Sequence, residues 1–271
     1  MFKTIRTKTA KFLDIWKQIE YWKSPLKQVI AFILFWVMFG AAYHSVEMGL
    51  VFLASMYAHE AGHAYVYRVN GIKNRVRLLF PLGAVAAPES KDEDVKSDKL
   101  PWNNVGWITQ AGLIGNVILM FVGLGFKLIP VPFTVELGKN IVAANVYLAV
   151  FNLLPVWNLD AGLLFKVVFS SLGETGDKIV AWLITLIGAA AILVALINSG
   201  GPWQVLINLV SNMGWIAFAI VVTIGVIRKS TKDDPSYYLS TQAMRLPQVV
   251  IQLLAYLGVC LITLIFLMKL M

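Results

Sequence analysis

Long apolar stretches follow one another along most of the chain, and polar residues are concentrated in the short segments between them. An α-helix needs about 20 predominantly apolar residues to cross the hydrocarbon core of a bilayer. Seven stretches approach that length, and the second and fourth are the least apolar because they contain acidic residues. The pattern predicts an all-α polytopic membrane protein with six to seven transmembrane helices, over approximately residues 28–46, 47–67, 105–128, 140–156, 179–198, 203–227 and 247–268.

A shorter apolar run after the second stretch is better explained by strands than by a helix. The sequence RVRLLFPLGAVAA, residues 75–87, is too short to span a bilayer. Within it, Pro81 and Gly83 give a turn signal between two β-prone runs. This pattern predicts a short re-entrant β-hairpin. Non-helical backbone is tolerated at membrane depth only where protein or a water-filled cavity covers it.

The same pattern divides the chain into three regions. Residues 1–27 form a basic segment whose apolar residues recur at helical spacing, which predicts an amphipathic helix at the cytoplasmic membrane surface. Residues 28–170 hold the first four predicted spans and the hairpin, and we interpret them as the membrane core. Residues 171–271 are predicted to add the C-terminal transmembrane helices.

Composition supports the membrane class, and the basic residues give an orientation. Hydrophobic residues make up 58% of the chain and charged residues only 14%, whereas soluble domains carry roughly 25% charged residues. Of the 23 Lys and Arg residues, 20 lie in segments that alternating spans would place on one side: 1–27, 68–99, 166–178 and 228–245. Because cytoplasmic loops are enriched in Lys and Arg, we expect a multi-pass protein of a prokaryotic cell membrane with a cytoplasmic N-terminus.

Charge and cysteine content exclude two other classes of protein. The net charge of +8 follows from the one-sided distribution of basic residues, and no basic run carries a base-reading motif. No nucleic-acid partner is therefore expected. The single cysteine, Cys260, cannot form an internal disulfide.

The second predicted span contains HEAGH, residues 59–63, in which ionisable side chains lie within an apolar stretch. On a helix, His59 and His63 at positions i and i+4 share one face, where both can bind one zinc ion. Glu60 between them is then placed to act as a general base toward water that the metal activates. Ionisable residues inside a span usually have a function, so this motif predicts a catalytic metal site.

A catalytic zinc usually has three protein ligands, so a third has to come from elsewhere in the chain. His44 and Glu47 are predicted near the outer membrane surface, whereas HEAGH lies in the inner half of its span. Glu89 is on the correct side but in a charged loop. Asp160 is the best candidate, because it follows a span that runs inward and is released from that helix by Pro155. The alternative role for Asp160 is to cap the short helix that follows it.

Four segments together resemble the site-2 protease family of intramembrane metalloproteases. That family combines HExxH with an Asn-x-x-Pro…Leu-Asp-Gly motif in a later transmembrane helix. The chain is similar in HEAGH and NLLPVWNLDAG, in a segment like the family's re-entrant hairpin, FPLGAVA, and in a Gly-x-x-x-Asn segment, AGLIGN. It departs where Ala161 separates Asp160 from Gly162, and where Leu113 replaces a common proline.

The resemblance implies a zinc metalloendopeptidase that carries out regulated intramembrane proteolysis, with one zinc per chain and the active site nearer the cytoplasm. It makes His59, His63 and Asp160 the zinc ligands and Glu60 the base. It also implies substrate-binding roles for Asn152, Asn116, Pro81 and Gly83; the alternative for the two asparagines is an interhelical hydrogen bond. The expected partners are the lipid bilayer, a membrane-protein substrate with a transmembrane segment, and a regulatory membrane protein.

Two alternatives use the same residues differently. A membrane metal transporter would also place histidine and aspartate at mid-depth, but it predicts ligands spread along a pathway. The third, fifth, sixth and seventh predicted spans contain no Asp, Glu or His. An inactive membrane chaperone or scaffold with the same fold is the other alternative, and the intact Glu60 argues against it.

Overall fold

A computed structural model describes residues 21–81, 83–153, 159–171 and 244–270. The predicted spans at 179–198 and 203–227, most of the predicted segment at 1–27, and Pro155 lie outside the described residues. The described residues form helices α1 to α7 and strands β1 and β2. Their bounds are α1 Pro25–Ala42, α2 Val46–Val69, β1 Asn74–Leu79, β2 Gly83–Pro88, α3 Lys91–Asp98, α4 Trp102–Lys127, α5 Pro132–Asn152, α6 Asp160–Ser170 and α7 Leu246–Leu270.

Three of the described helices are long and apolar enough to cross a membrane, over Pro25–Ala42, Trp102–Lys127 and Leu246–Met268. Helices α2 and α5 correspond to the second and fourth predicted spans, which are the less apolar ones. Helix α5 begins at Pro132 rather than near residue 140. Its first turns contain Thr134, Glu136 and Lys139. Because spans were located by their apolar residues, the predicted span began about two turns after the helix itself begins.

Helix α1 has two opposite faces that are both apolar. Ala31, Phe35 and Phe39, spaced four residues apart, are buried against the rest of the fold. On the other side Val29 and Val37 are 55% and 64% exposed. A helix on the surface of a soluble protein would carry polar residues on that side, so the exposed face of α1 is suited to lipid.

A serine caps the N-terminus of each of the first two helices, and a pair of glycines lets these helices cross closely. Ser24 precedes Pro25 and its hydroxyl accepts from the Lys27 amide, and Ser45 caps α2 in the same way. The two helices cross closely, because a Cβ on Gly49 would lie 2.7 Å from the Cα of Gly40. Only glycine allows this backbone approach.

Two compact units divide the chain, one comprising residues 1–100, 110–151 and 255–271, the other residues 101–109 and 152–254. In the first unit, a core of aromatic and aliphatic side chains joins α1, α2, the hairpin and α5. Phe39 and Phe52 are at its centre, with ring centroids 4.5 Å apart. In the second unit, the Gln252 amide donates to the backbone and side-chain oxygens of Asn103, both at 3.1 Å.

The predicted hairpin is confirmed. Strands β1 and β2 are antiparallel, with Leu78 opposite Ala84 and Val76 opposite Ala86. The turn contains Pro81, which is exposed, and Gly83, whose φ of 121° lies in the region that favours glycine.

The outer edge of β1 is bonded to a side chain of α1. The Gln28 amide donates to the Leu78 carbonyl at 3.1 Å and accepts from the Leu78 N–H at 2.9 Å, as a neighbouring strand would. The same amide donates to the Trp22 carbonyl at 2.7 Å. Gln28 therefore holds the hairpin against α1.

Replacing Gln28 with Leu is expected to loosen the hairpin, because Leu leaves both backbone groups of Leu78 without these partners. Each lost partner costs roughly 1–3 kcal/mol when the group is buried. Hydrogen exchange of the purified protein in detergent should then show the Leu78 amide exchanging at least about tenfold faster. Gln28→Glu, which keeps only the acceptor, should give an intermediate rate. Equal protection in all three proteins would contradict this role.

Two ion pairs hold the chain beside the hairpin. Arg75 in β1 contacts Glu89, which follows β2, at 2.7 Å. Glu93 in α3 accepts from the Lys96 ammonium at 2.7 Å and from the Lys73 backbone amide at 2.8 Å. These contacts, led by Arg75 for Glu89 and by Lys96 for Glu93, lower the pKa of both carboxyl groups. Their stabilising effect is therefore present when the carboxylates are ionised and is lost as pH falls through the lowered pKa.

Candidate metal centre

Helix α2 brings the two histidines of HEAGH together on one buried face. His59 and His63 are only 3% and 7% exposed. Their Nε2 atoms lie 3.1 Å apart, and their rings are nearly perpendicular, with centroids 4.8 Å apart. The helical spacing of four residues is sufficient to produce this arrangement.

The histidine pair and Glu60 fit a zinc ion. Two imidazole nitrogens that bind one zinc tetrahedrally at about 2.0–2.1 Å lie roughly 3.3 Å apart, close to the distance between the two Nε2 atoms. One ligand atom from each of His59, Glu60 and His63 lies within 4.8 Å of the other two. Among the described residues this is the one cluster of three or more metal-binding side chains.

Gly112 on α4 leaves space in front of the two imidazoles. A Cβ at this position would lie 2.4 Å from His63 Nε2 and 2.6 Å from His59 Cε1. Any side chain at residue 112 would therefore enter the space where both rings can share an ion. Gly62 plays a related part, because its missing Cβ would lie 2.5 Å from the Ala111 carbonyl oxygen. The backbones of α2 and α4 can approach beside the histidines only because both positions are glycine.

Glu60 points toward the hairpin. Its Oε2 accepts a hydrogen bond of 2.9 Å from the Ala86 backbone N–H in β2. The Leu78 N–H bonds to Gln28 outside the hairpin, so the backbone groups of the pair Leu78 and Ala84 point away from each other's strand. This orientation recurs every second residue in an antiparallel pair, so the backbone groups of Val76 and Ala86 also point outward. The outer edge of β2 thus holds the predicted general base, while Gln28 occupies the outer edge of β1.

Two buried asparagines surround the histidine face. Asn116 on α4 lies with its amide 2.9 Å from His59 Nδ1. Asn145 on α5 donates at 3.0 Å to Ser55, which precedes His59 by one helical turn. Both asparagines are fully buried, so this side of α2 is lined by polar groups from two neighbouring helices.

The other predicted site residues are placed as follows. Asp160 is the first residue of α6 and is half-buried, and the residue before it, Leu159, is the cap. Asn152 is the last residue of α5 and is also half-buried. Both belong to the second compact unit, whereas the histidines, Glu60 and Asn116 belong to the first. His44 lies before α2 with φ of 50°, 15 residues ahead of His59, which is roughly 20 Å along a helix.

Reasoning from the sequence missed Gly112, Ser55, Asn145 and Gln28. The spacing of Ser55 four residues before His59 was a detectable signal, because it extends the polar face of α2 by one turn. Gly112 is the glycine of the Gly-x-x-x-Asn segment, but that resemblance did not give it a role at the metal. Asn145 and Gln28 act through contacts between distant segments, which their local sequence does not indicate.

Two curated proteins are similar to part of this chain. "Putative zinc metalloprotease sll0528" of Synechocystis sp. is 31% identical over 181 residues, covering 61% of this chain and 45% of that protein. "Zinc metalloprotease MJ0392" of Methanocaldococcus jannaschii is 30% identical over 161 residues, covering 54% of this chain and 43% of that protein. The chain thus spans less than half the length of either relative. No family model matches the chain, and no solved structure matches it.

These similarities agree with the geometry of the site. Both relatives carry names of zinc metalloproteases, and the chain supplies the histidine pair and glutamate that such chemistry needs. They support a metalloprotease function and zinc as its metal.

Proposed function

We propose that this chain is an intramembrane zinc metalloprotease of the site-2 protease type. It would hydrolyse a peptide bond in or near a transmembrane segment of a membrane-bound protein, as in regulated intramembrane proteolysis. The observation that carries the proposal is the pair of buried imidazoles facing the space that Gly112 leaves, with Glu60 beside them. Three described helices that are long and apolar enough to cross a membrane support an intramembrane setting.

Each residue of the site has a distinct part in this reaction. His59 and His63 would hold the metal through Nε2, and we assign the third ligand to Asp160. When bound, zinc supplies Lewis-acid activation of water and of the scissile carbonyl. Glu60 takes the proton from the attacking water and delivers it to the amine nitrogen that leaves when the peptide bond breaks. The Ala86 N–H orients the Glu60 carboxylate through the 2.9 Å bond.

The substrate has to reach this site in an extended form, because a helix keeps its carbonyls in its own hydrogen bonds. We propose that an unwound segment pairs with the hairpin as an added strand. Such a strand would run along the outer edge of β2 beside the bond between Ala86 and Glu60, since Gln28 already bonds to both backbone groups of Leu78 in β1. Pro81, Gly83 and Asn152 are proposed to contact the substrate near the turn and the end of α5.

The surroundings of the enzyme follow from the sequence pattern. We propose a cytoplasmic N-terminus and an active site nearer the cytoplasmic side, because basic residues are concentrated on that side. The partners are the bilayer, a membrane-protein substrate and a regulatory membrane protein.

Removal of the metal tests the proposed function directly. The protein, purified in detergent, is incubated with a purified single-span membrane protein as substrate, before and after treatment with a zinc chelator. Chelation is expected to stop the appearance of cleavage products, and one equivalent of zinc should restore it. Cleavage that continues in the stripped protein would overturn the proposal. Zinc-dependent ion flux into proteoliposomes without any cleavage would favour the transporter instead.

A further inference from the structure

The hairpin is hydrogen-bonded at both of its outer edges, to a different helix at each edge. At the edge of β1, the Gln28 amide of α1 bonds to both backbone groups of Leu78, at 2.9 and 3.1 Å. At the edge of β2, the Ala86 N–H donates to Glu60 Oε2 of α2 at 2.9 Å. The hairpin therefore links a side chain of α1 to the proposed general base on α2.

Helix α1 gives Gln28 a fixed position relative to α2. The rings of Phe39 on α1 and Phe52 on α2 have centroids 4.5 Å apart and belong to one buried core. Protein interiors are close-packed, so a helix held in such a core does not shift freely. The Gln28 amide is itself held, because it also donates to the Trp22 carbonyl at 2.7 Å.

The pairing of the two strands carries the position of Leu78 over to Ala86. Arg77 lies opposite Val85, between two pairs whose backbone groups point outward. In an antiparallel ladder such an intervening pair exchanges its hydrogen bonds across the hairpin. Val85 directly precedes Ala86, so a shift of β1 at Leu78 moves the Ala86 N–H with it.

We propose that Gln28 is a positioning residue for Glu60: by fixing β1 against α1, it sets the place at which the Ala86 N–H meets the carboxylate. This inference rests on the proposed function, in which Glu60 is the base. A base has to lie within about 2.6–3.2 Å of the group whose proton it removes. A displacement of about 1 Å caused far from the reacting atoms can lower a rate about 100-fold. A side chain on α1 thus affects the chemistry carried out from α2.

Gln28→Leu tests this role, because leucine is similar in size and bonds to neither backbone group of Leu78. With zinc-loaded protein in detergent and a saturating purified single-span substrate, the maximal cleavage rate is expected to fall about 10- to 100-fold. Hydrogen exchange of the Ala86 amide should become at least about tenfold faster, although its bonding partner is Glu60. Zinc affinity, measured by competition with a chelating indicator, should stay within about twofold of the native value.

Trp36→Phe is the matched control on the same helix. The Trp36 indole donates to the Val46 carbonyl at 3.0 Å, so this variant also removes a hydrogen bond made by α1, but one to the start of α2. It is expected to cleave substrate within about twofold of the native rate and to leave exchange of the Ala86 amide unchanged. Gln28→Glu, which keeps only the acceptor for the Leu78 N–H, should lie between the native protein and Gln28→Leu.

The outcomes separate this inference from the function on which it rests. If the native protein neither binds zinc nor cleaves the substrate, the proposed function fails. If it does both, and Gln28→Leu frees the Leu78 amide while cleavage and Ala86 exchange stay native, Gln28 only stabilises the hairpin and the inference is overturned. An equal loss of cleavage in Trp36→Phe would also overturn it, because the effect would then belong to the packing of α1. Should the Leu variant not fold, Gln28→Glu decides, and native cleavage by that variant contradicts the role.

Discussion

Replacing Glu60 with Gln is expected to abolish cleavage while leaving one zinc ion bound per chain. Glutamine has the same shape and its oxygen can still accept from the Ala86 N–H, so the hairpin keeps its contact. It cannot take a proton from water, and general acid–base catalysis by one side chain contributes about 10²–10⁴-fold to a rate. The measurements are the rate of cleavage of a purified single-span substrate and the zinc content by elemental analysis.

The matched control for this experiment is Glu47→Gln. Glu47 is the other glutamate of α2, lies exposed in its first turn and is far from the histidines along the helix. The control is expected to cleave at the native rate. If Glu60→Gln also retained native activity with full zinc, Glu60 would not be the base, and a different group would have to move the proton.

Replacing Gly112 with Ala is expected to remove zinc binding, because the new Cβ would lie 2.4 Å from His63 Nε2. Atoms in real proteins do not approach a Cβ so closely, so the ring has to turn or α4 has to move away, and either change separates the two nitrogens. Alanine is the better helix former, so α4 itself should not be weakened. We expect zinc affinity to fall by at least about 100-fold and cleavage to be lost with it, as measured by chelator competition and the cleavage assay.

Gly115→Ala provides the control on the same helix. A Cβ at Gly115 would meet only the Ala58 carbonyl oxygen at 3.7 Å, which is an ordinary contact. This variant should bind zinc and cleave the substrate as the native protein does. Native zinc affinity in Gly112→Ala would show that the ion does not occupy the space in front of the two imidazoles.

Local signals in the sequence were sufficient to predict the helical class, the hairpin and the histidine pair. The turn at Pro81 and Gly83 and the i, i+4 spacing of the histidines depend on a few consecutive residues. The start of α5 could not be predicted from local signals, because its first turns contain polar residues and the spans were located by runs of apolar residues.

The contacts that complete the site are not local, and the sequence does not indicate them. Asn116 stood out through its family-like segment, but its contact with His59 joins residues 57 positions apart. Gln28 meets Leu78 across 50 positions. A glycine such as Gly112 has a specific role only once the packing of two helices is known, since the same residue elsewhere on α4 meets nothing, as at Gly125.

The bond between Gln28 and the hairpin also affects how copies of this protein can associate. A two-stranded sheet has two open edges, and an open edge is a template for pairing with another chain and for aggregation. At Leu78 both backbone groups of β1 are already bonded to Gln28. Two copies crowded in one bilayer would therefore have to break two hydrogen bonds in each copy before their β1 strands could pair there, so α1 protects the hairpin against self-association at this edge.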